Sequence, residues 1–316
     1  MLQNKTLKNL LIEQKSLITL LVLIIFVSCL SDNFFTLNNF FNILQQTSIN
    51  AIIAVGMTLV ILTSGIDLSV GSTFALAGAI TASMIGLDIS PFIAITAALA
   101  LGAVLGAFSG VIIAKGKLQA FIATLVMMLI LRGVTLVYTK GSPISTGNND
   151  NSEFFEWFAF GQVSGIPVPI VIMAIVFAGA WYLLKYTRLG RYIYALGGNE
   201  TATRLSGINV DRVKIIVYAI SGLLCALAST IEVARLSSAQ PTAGTGYEMD
   251  AIAAVVLGGT SMSGGRGKII GTLIGALILG FLNNGLNMLG VDAYYQMIVK
   301  GAVILLAVLV DNKTSK

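Results

Sequence analysis

The chain has 316 residues, of which 56% are hydrophobic and only 10% are charged, whereas a soluble domain carries about 25% charged residues. This composition excludes an ordinary water-soluble domain, and the net charge of +5 comes without the compact basic face and interleaved aromatic residues that indicate a nucleic-acid partner. Because the sequence has no histidine and only two cysteines, we expect neither a metal site nor a cofactor.

Long apolar segments divide the chain into about ten predicted membrane-spanning helices, because a helix needs about 20 mostly apolar residues to cross a bilayer. The predicted spans are 17–31, 48–64, 69–87, 91–114, 119–139, 168–185, 213–234, 250–262, 268–288 and 293–310. The first resembles a signal peptide, but no A-x-A-like cleavage site follows it, so we interpret it as an uncleaved helix. We therefore expect an all-α, polytopic helix bundle that forms one transmembrane domain over residues 1–316.

The lysines and arginines predict the orientation of this bundle, since they are enriched on the cytoplasmic side of membrane proteins. With a cytoplasmic N-terminus, 15 of the 19 basic residues fall inside. They are Lys5, Lys8, Lys15, Lys115, Lys117, Lys185, Arg188, Arg191, Arg204, Arg212, Lys214, Arg266, Lys268, Lys313 and Lys316. An even number of spans then predicts that both termini are cytoplasmic.

The first unusual connection is the sequence GIDLSVG at 65–71, between the second and third spans. Gly65 and Gly71 bracket Asp67, and glycine permits a sharp turn. Broken helices with polar ends often line transport pathways. The alternative is that Asp67 only caps the start of the third span.

Glycines at four-residue spacing mark the fourth and ninth spans. Gly102, Gly106 and Gly110 form one stripe, and Gly271 and Gly275 form another. Such stripes allow helix backbones to approach closely. They predict either packing within one bundle or an interface between subunits.

The longest predicted cytoplasmic loop covers residues 186–211. Asn199 is suited to cap a short helix over residues 200–205, and Gly207 is suited to end it. The loop is either a docking site for another protein or a solvated connector.

The predicted outer segment 237–250 offers the hydrogen-bonding side chains of Gln240, Tyr247 and Glu248. These groups could contact a soluble partner or a polar solute, although proline and glycine in this segment also fit a simple surface loop.

Polar groups within the spans are mostly neutral. Amides such as Asn50, Asn283 and Asn284 suit either hydrogen bonding to a polyhydroxy solute or ordinary contacts between helices. Arg132 and Lys300 are candidates because charge is costly in lipid, yet no chain of acids and histidines forms a proton relay. The glycine-rich segment 257–267 does not fit the phosphate-binding pattern G-x-x-x-x-G-K-[ST].

Three motifs resemble those of one transporter family. GIDLSVGS, GRYIYALGGNETATRLSGI and DAIAAVVLGGTSMSGGRG are similar to segments of sugar-import permeases of bacterial ABC transporters, in the ribose, xylose and galactose branch, and the similarity extends through essentially the whole chain. It is greatest to ribose permeases.

The resemblance implies a homodimeric permease of the bacterial inner membrane, surrounded by lipid. A cytoplasmic ABC ATPase subunit would hydrolyse ATP, so this chain would not itself be an enzyme, and a periplasmic binding protein would deliver ribose. The ATPase-docking loop of the family matches part of 186–211. The matching positions are Gly197, Gly198, Asn199, Glu200, Ala202, Arg204, Leu205 and Gly207.

Two other functions remain open at this point. A secondary transporter would use an ion gradient and no ATPase. An ABC permease of the same architecture could instead carry xylose, galactose, a sugar-derived signal molecule or branched-chain amino acids.

Overall fold

The computed structural model describes residues 15–28 and 34–314, and these residues are mostly helical. The helices are α1 (Lys15–Ser28), α2 (Leu37–Leu62), α3 (Val70–Gly86), α4 (Pro91–Lys115), α5 (Ala120–Thr139), α6 (Asp150–Phe160), α7 (Val168–Tyr186), α8 (Arg188–Gly198), α9 (Glu200–Leu205), α10 (Val210–Leu236), α11 (Tyr247–Leu257), α12 (Ile269–Met288) and α13 (Ala293–Thr314). The strands are β1 (Ile144–Ser145), β2 (Gln162–Val163), β3 (Ile166–Pro167) and β4 (Ser238–Ala239). Antiparallel pairing joins β1 to β4, with Ile144 opposite Ala239, and β2 to β3, with Gln162 opposite Pro167.

Each predicted span contains a helix, which confirms an all-α, multi-pass membrane bundle. Six helices of the described chain are long and apolar enough to cross a membrane, namely α2, α4, α5, α7, α10 and α12. Helix α3 is apolar but has only 17 residues.

Helix α2 begins at Leu37, well before the predicted start at residue 48. Thr36 caps this end by accepting a hydrogen bond from the Asn39 amide (3.2 Å). This first part of the helix is rich in asparagine and glutamine and so does not look like an apolar span. The helix tolerates them because buried amides such as Asn39 find hydrogen-bond partners.

The eighth predicted span, 250–262, is wrong as a continuous helix. Helix α11 ends at Leu257, and Gly259 follows with φ +82°. Its 11 residues extend only about 16 Å, about half of the hydrocarbon thickness. This helix therefore cannot cross the membrane by itself.

Helix α10 lies at the centre of the bundle and packs along α4, α2 and α3. The first glycine stripe makes the approach of α4 possible: Cβ atoms on Gly102 and Gly106 would overlap the carbonyl oxygens of Gly222 and Tyr218. A Cβ on Gly275 would likewise overlap the Ala254 carbonyl oxygen in α11. Both stripes therefore pack within one chain.

Most of the described basic residues lie at one end of the bundle. At one end, here called the α8 end, helices α8 and α9 lie beside the α2–α3 break. At the opposite end, called the α6 end, Asn149 donates a hydrogen bond to the Ile85 carbonyl (3.0 Å) and β1 pairs with β4. The described basic residues of the connections at the α8 end are Lys115, Lys117, Lys185, Arg188, Arg191, Arg204, Arg212, Lys214, Arg266 and Lys268.

Candidate functional site

Three glycine-containing connections that are far apart in sequence meet at the α8 end. The Gly265 amide donates a hydrogen bond to the Leu62 carbonyl (3.0 Å). The Ser64 hydroxyl lies within hydrogen-bonding distance of the carbonyls of Ser263 (2.8 Å) and Gly197 (3.3 Å). We call these five residues the glycine junction. It joins α8 directly to the break after α2 and to the connection before α12.

Glycine is required at the centre of this junction. A Cβ atom on Gly197 would overlap both the Leu62 carbonyl oxygen and the Gly265 amide nitrogen. Gly265 itself has φ +69°, a conformation that side chains other than glycine rarely adopt. The close approach of three backbone segments therefore explains Gly197 in the motif GRYIYALGGNETATRLSGI and Gly265 in the motif DAIAAVVLGGTSMSGGRG.

Helix α9 forms as predicted from its capping residues. The Asn199 side chain accepts a hydrogen bond from the Ala202 amide (2.9 Å), which satisfies a free N–H of the first turn. The chain turns after Leu205, where Gly207 has φ +81°. Leu205 itself is 84% exposed, so an apolar side chain projects from α9 into solvent.

Ion pairs connect α9 to the beginning of α10. Lys214 contacts Glu200 (2.8 Å), and Arg204 contacts Asp211 (3.0 Å) and Glu200 (3.3 Å). Partial burial of Glu200 raises its pKa, but the hydrogen bonds and charges of Lys214 and Arg204 outweigh burial and hold the pKa below its usual value. A force on α9 can therefore be transmitted both to α10 and, through α8, to the glycine junction.

The α2–α3 break is a fixed, buried turn. Asp67 is 2% exposed, and it accepts hydrogen bonds from the Ser69 hydroxyl (2.6 Å) and the Ser221 hydroxyl (3.0 Å) of α10. Gly65 allows the turn to pass Tyr218, whose hydroxyl would lie 2.6 Å from an added Cβ. Asp67 thus holds the broken helix to α10, as a buried acid with hydrogen-bond partners.

The segment 237–246 enters the bundle from the α6 end. Its first residues pair with β1, but Gly244 contacts Gly71 at the beginning of α3, where an added Cβ would overlap the Gly244 carbonyl oxygen. Arg132 of α5 holds this re-entrant segment by donating to the carbonyls of Pro241 (2.8 Å) and Ala243 (2.9 Å). The segment is therefore not the simple surface loop that its proline and glycines would also fit.

The three polar residues predicted near this segment lie at different places. Gln240 is half-buried near β4. Tyr247 packs its ring against Phe74 at 5.2 Å between centroids, and Glu248 lies beside Gly71 and interacts electrostatically with Arg132. Tyr247 and Glu248 are thus half-buried and contact α3.

A polar cavity of about 50 Å³ lies between α2, α11 and α12. It is lined by Gln46, Thr47, Asn50, Asp250, Ala254, Ala276, Leu279, Gly280 and Asn283. Side-chain oxygens of Thr47, Asn50 and Asn283 are buried there without a hydrogen-bond partner. Such groups are costly unless a ligand or water satisfies them, and the volume would admit about three water molecules at roughly 15 Å³ each.

The neighbouring residue Asn284 has a different role. Its amide exchanges two hydrogen bonds of 3.0 Å with the amide of Asn39. This reciprocal pair joins α2 to α12 and leaves no free donor or acceptor of the kind found at Asn283. The structure therefore brings Asn50 and Asn283 together and separates them from Asn284, Gly65, Asp67 and Gly71.

Sequence reasoning did not identify Gln46 and Thr47 as neighbours of Asn50, although their spacing of four and three residues places them on one helical face. It also did not pair Lys300 with Asp250, whose charged atoms are 3.4 Å apart beside the cavity. The spacing of Gln46, Thr47 and Asn50 is visible in the sequence, but the predicted span starts at residue 48 and leaves the first two outside the helix.

The chain was compared with known proteins. The family described as branched-chain amino acid transport system / permease component matches residues 39–308. The ribose import permease protein RbsC of Escherichia coli strain K12 is 73% identical over 303 residues, which are 96% of this chain and 94% of that protein. No solved structure matches the chain.

More distant relatives are also permeases. RbsC of Bacillus subtilis strain 168 is 56% identical, with 94% of this chain and 91% of that protein covered. The D-allose transport system permease protein AlsC of Escherichia coli strain K12 is 41% identical, with 94% and 90% covered. The chain therefore belongs to the branched-chain amino acid transport system permease family and, within it, groups with bacterial ribose import permeases.

Proposed function

We propose that this chain is the permease subunit of an ABC importer that moves ribose into the cytoplasm. The observation that carries this proposal is the 73% identity to a ribose import permease over 96% of the chain. The glycine junction supports it, because it links α8 to the break after α2 and to the connection before α12, as coupling to an external ATPase would require.

Uptake by reconstituted vesicles tests the function and its alternatives. We expect radiolabelled ribose to accumulate only when the ATPase subunit, ATP and the binding protein are present, and xylose, galactose and D-allose to compete poorly. Uptake driven by an ion gradient without the ATPase would instead show a secondary transporter. Preferential uptake of another sugar or of an amino acid would contradict the ribose assignment.

We further propose that residues 186–211, and α9 in particular, dock onto the ATPase. The exposed Leu205 and the ion pairs that tie α9 to α10 support this role. Leu205→Asp should abolish transport-coupled ATP hydrolysis without unfolding the permease, because Leu205 is not packed. Leu118→Asp is the matched control, since Leu118 is 49% exposed at the same end. Equal losses in both variants would contradict docking through α9.

The polar cavity is proposed as part of the translocation pathway, with Asn50 and Asn283 as sugar-facing groups. Its unpartnered oxygens suit the hydroxyl donors of a pentose. In this conformation the cavity holds only a few waters, so the sugar would enter after the helices move apart, as alternating access requires. Gly65, Asp67 and Gly71 would shape the break on which that motion depends.

Two adjacent asparagines provide a sharp test of the pathway. Asn283→Leu removes an oxygen that has no hydrogen-bond partner, so it should leave thermal stability unchanged or higher while reducing ribose uptake by at least about tenfold. Asn284→Leu breaks the pair with Asn39 and should cost about 1–3 kcal/mol of stability. If Asn283→Leu transported ribose normally, the cavity would not be on the pathway.

The complete arrangement is proposed to have ten crossings within one domain, residues 1–316, with both termini in the cytoplasm. In it, α3 and the α2–α3 break form one crossing, and α11 with the re-entrant segment forms another. The basic connections at the α8 end support this orientation. Gln240, Tyr247 and Glu248, which are all half-buried, are candidate contacts for a periplasmic binding protein.

A homodimer is proposed from the family resemblance, with lipid around it. Native mass spectrometry of the purified permease should give the mass of two copies of this chain. A monomer that still transports ribose with its ATPase would contradict this proposal.

A further inference from the structure

A second cavity lies outside the proposed pathway, on the side of the bundle at the α8 end. It has a volume of about 320 Å³ and lies between α7, α8 and α12. Its apolar wall includes Trp181 and Ile270, which are 39% and 58% exposed on helices that are long and apolar enough to cross a membrane. Lys185 and Lys268 also line it. We call it the α7–α12 groove.

The two lysines give the groove an uncompensated positive charge. Within the part of the chain that the structure describes, neither forms an ion pair. Lys185 instead lies 4.9 Å from the centre of the Trp181 ring and 5.3 Å from that of Tyr186. Aromatic rings of this kind favour the level of the lipid headgroups, so these ammonium groups are placed where a membrane surface begins.

We propose that the α7–α12 groove binds one anionic phospholipid. The phosphate would lie between Lys185 and Lys268, and an acyl chain would follow the exposed faces of Trp181 and Ile270. An apolar wall combined with two lysines that form no ion pair among the described residues fits a lipid better than a free anion, which would use only the lysines. Basic sites between helices on the cytoplasmic side are suited to anionic headgroups.

The location gives the lipid a structural consequence. Tyr194 of α8 also lines the groove, and its hydroxyl donates to the Gly267 carbonyl (2.9 Å) in the connection before α12. A lipid in the groove would therefore contact two of the three elements that meet at the glycine junction, namely α8 and the connection before α12.

Tryptophan fluorescence can test the proposal on the full chain, because it has only two tryptophans. Trp157→Phe leaves Trp181 as the single reporter. In nanodiscs of phosphatidylcholine, brominated phosphatidylglycerol should quench Trp181 more than brominated phosphatidylcholine at equal mole fraction. We expect a preference of up to about 30-fold in relative affinity at low salt, which decreases as salt is added.

Matched variants identify the lysines as the cause. In the Trp157→Phe background, Lys185→Gln with Lys268→Gln should remove the preference, whereas Lys115→Gln with Lys117→Gln, which removes equal charge at the same end, should keep it. A Trp181→Phe protein, which reports from Trp157 in α6, should show no preference.

Three results would overturn the proposal. Equal quenching by both lipids would show ordinary lipid contact. Loss of the preference on adding inorganic phosphate, but not on adding sodium chloride to the same ionic strength, would show an anion site rather than a lipid site. Weak quenching by both lipids would show that the groove is covered by protein, such as a second copy of the chain.

Discussion

Gly197 shows how one residue determines the contact between α8 and the rest of the bundle. Gly197→Ala places a methyl group on the Leu62 carbonyl and the Gly265 amide. Either helix α8 moves away, which breaks the contact between the Ser64 hydroxyl and the Gly197 carbonyl, or the hydrogen bond between Leu62 and Gly265 is lost. We expect destabilisation by about 1–3 kcal/mol and a loss of sugar-stimulated ATP hydrolysis, measured by thermal unfolding and by phosphate release in vesicles.

The adjacent glycine is the control at this scale. An added Cβ on Gly198 meets no atom within 4 Å, so Gly198→Ala should leave both measurements nearly unchanged. If both alanine variants behaved alike, the effect would reflect helix propensity rather than contact at the junction.

At the scale of elements, the re-entrant segment 237–246 depends on one side chain from another helix. Arg132→Met removes the guanidinium nitrogen that donates to the carbonyls of both Pro241 and Ala243, and leaves these carbonyls without that donor. We expect a loss of at least about 1.5 kcal/mol and faster amide hydrogen exchange in residues 240–246.

Arg188→Met is the control for Arg132→Met. Arg188 is exposed on α8 and forms no ion pair among the described residues. Arg188→Met should therefore change neither stability nor exchange in 240–246. Unchanged exchange in Arg132→Met would mean that the segment is held by its contact with Gly71 alone.

For the molecule as a whole, the chain is a multi-pass protein of the bacterial inner membrane, and the orientation of its two ends can be measured. In a Cys29→Ser background, where Cys225 is buried, cysteine can replace the exposed residue Glu153 of α6 or Thr201 of α9. A membrane-impermeant maleimide should label Glu153→Cys in intact cells and Thr201→Cys only after permeabilisation. The reverse pattern would invert the proposed topology.

Much of this architecture could be predicted from the sequence, because apolar length and basic residues report directly on membrane insertion. The start of α2 could not, because the buried pair of Asn39 and Asn284 hides polar groups that look unsuitable for a span. The path of 237–246 was also missed. A proline- and glycine-rich segment has the same composition at the surface and inside, and only the distant Arg132 distinguishes the two.

In the candidate site too, some features could be predicted from local sequence and others depend on distant contacts. Asn199 and Gly207 have local capping signals, so α9 was predicted with the correct bounds. The distinction between Asn283 and Asn284 depends instead on residues more than 200 positions away, which no local pattern contains.

The glycine junction also has a consequence for how such permeases diverge. Apart from the Ser64 hydroxyl, its hydrogen bonds use main-chain atoms. Substitutions that spare the glycines can therefore alter the exposed face of α9 while the glycine junction is kept. Residues 186–211 could then be exchanged between relatives as a module. If α9 docks onto the ATPase as proposed, such an exchange would change which ATPase the permease recruits without rebuilding the bundle.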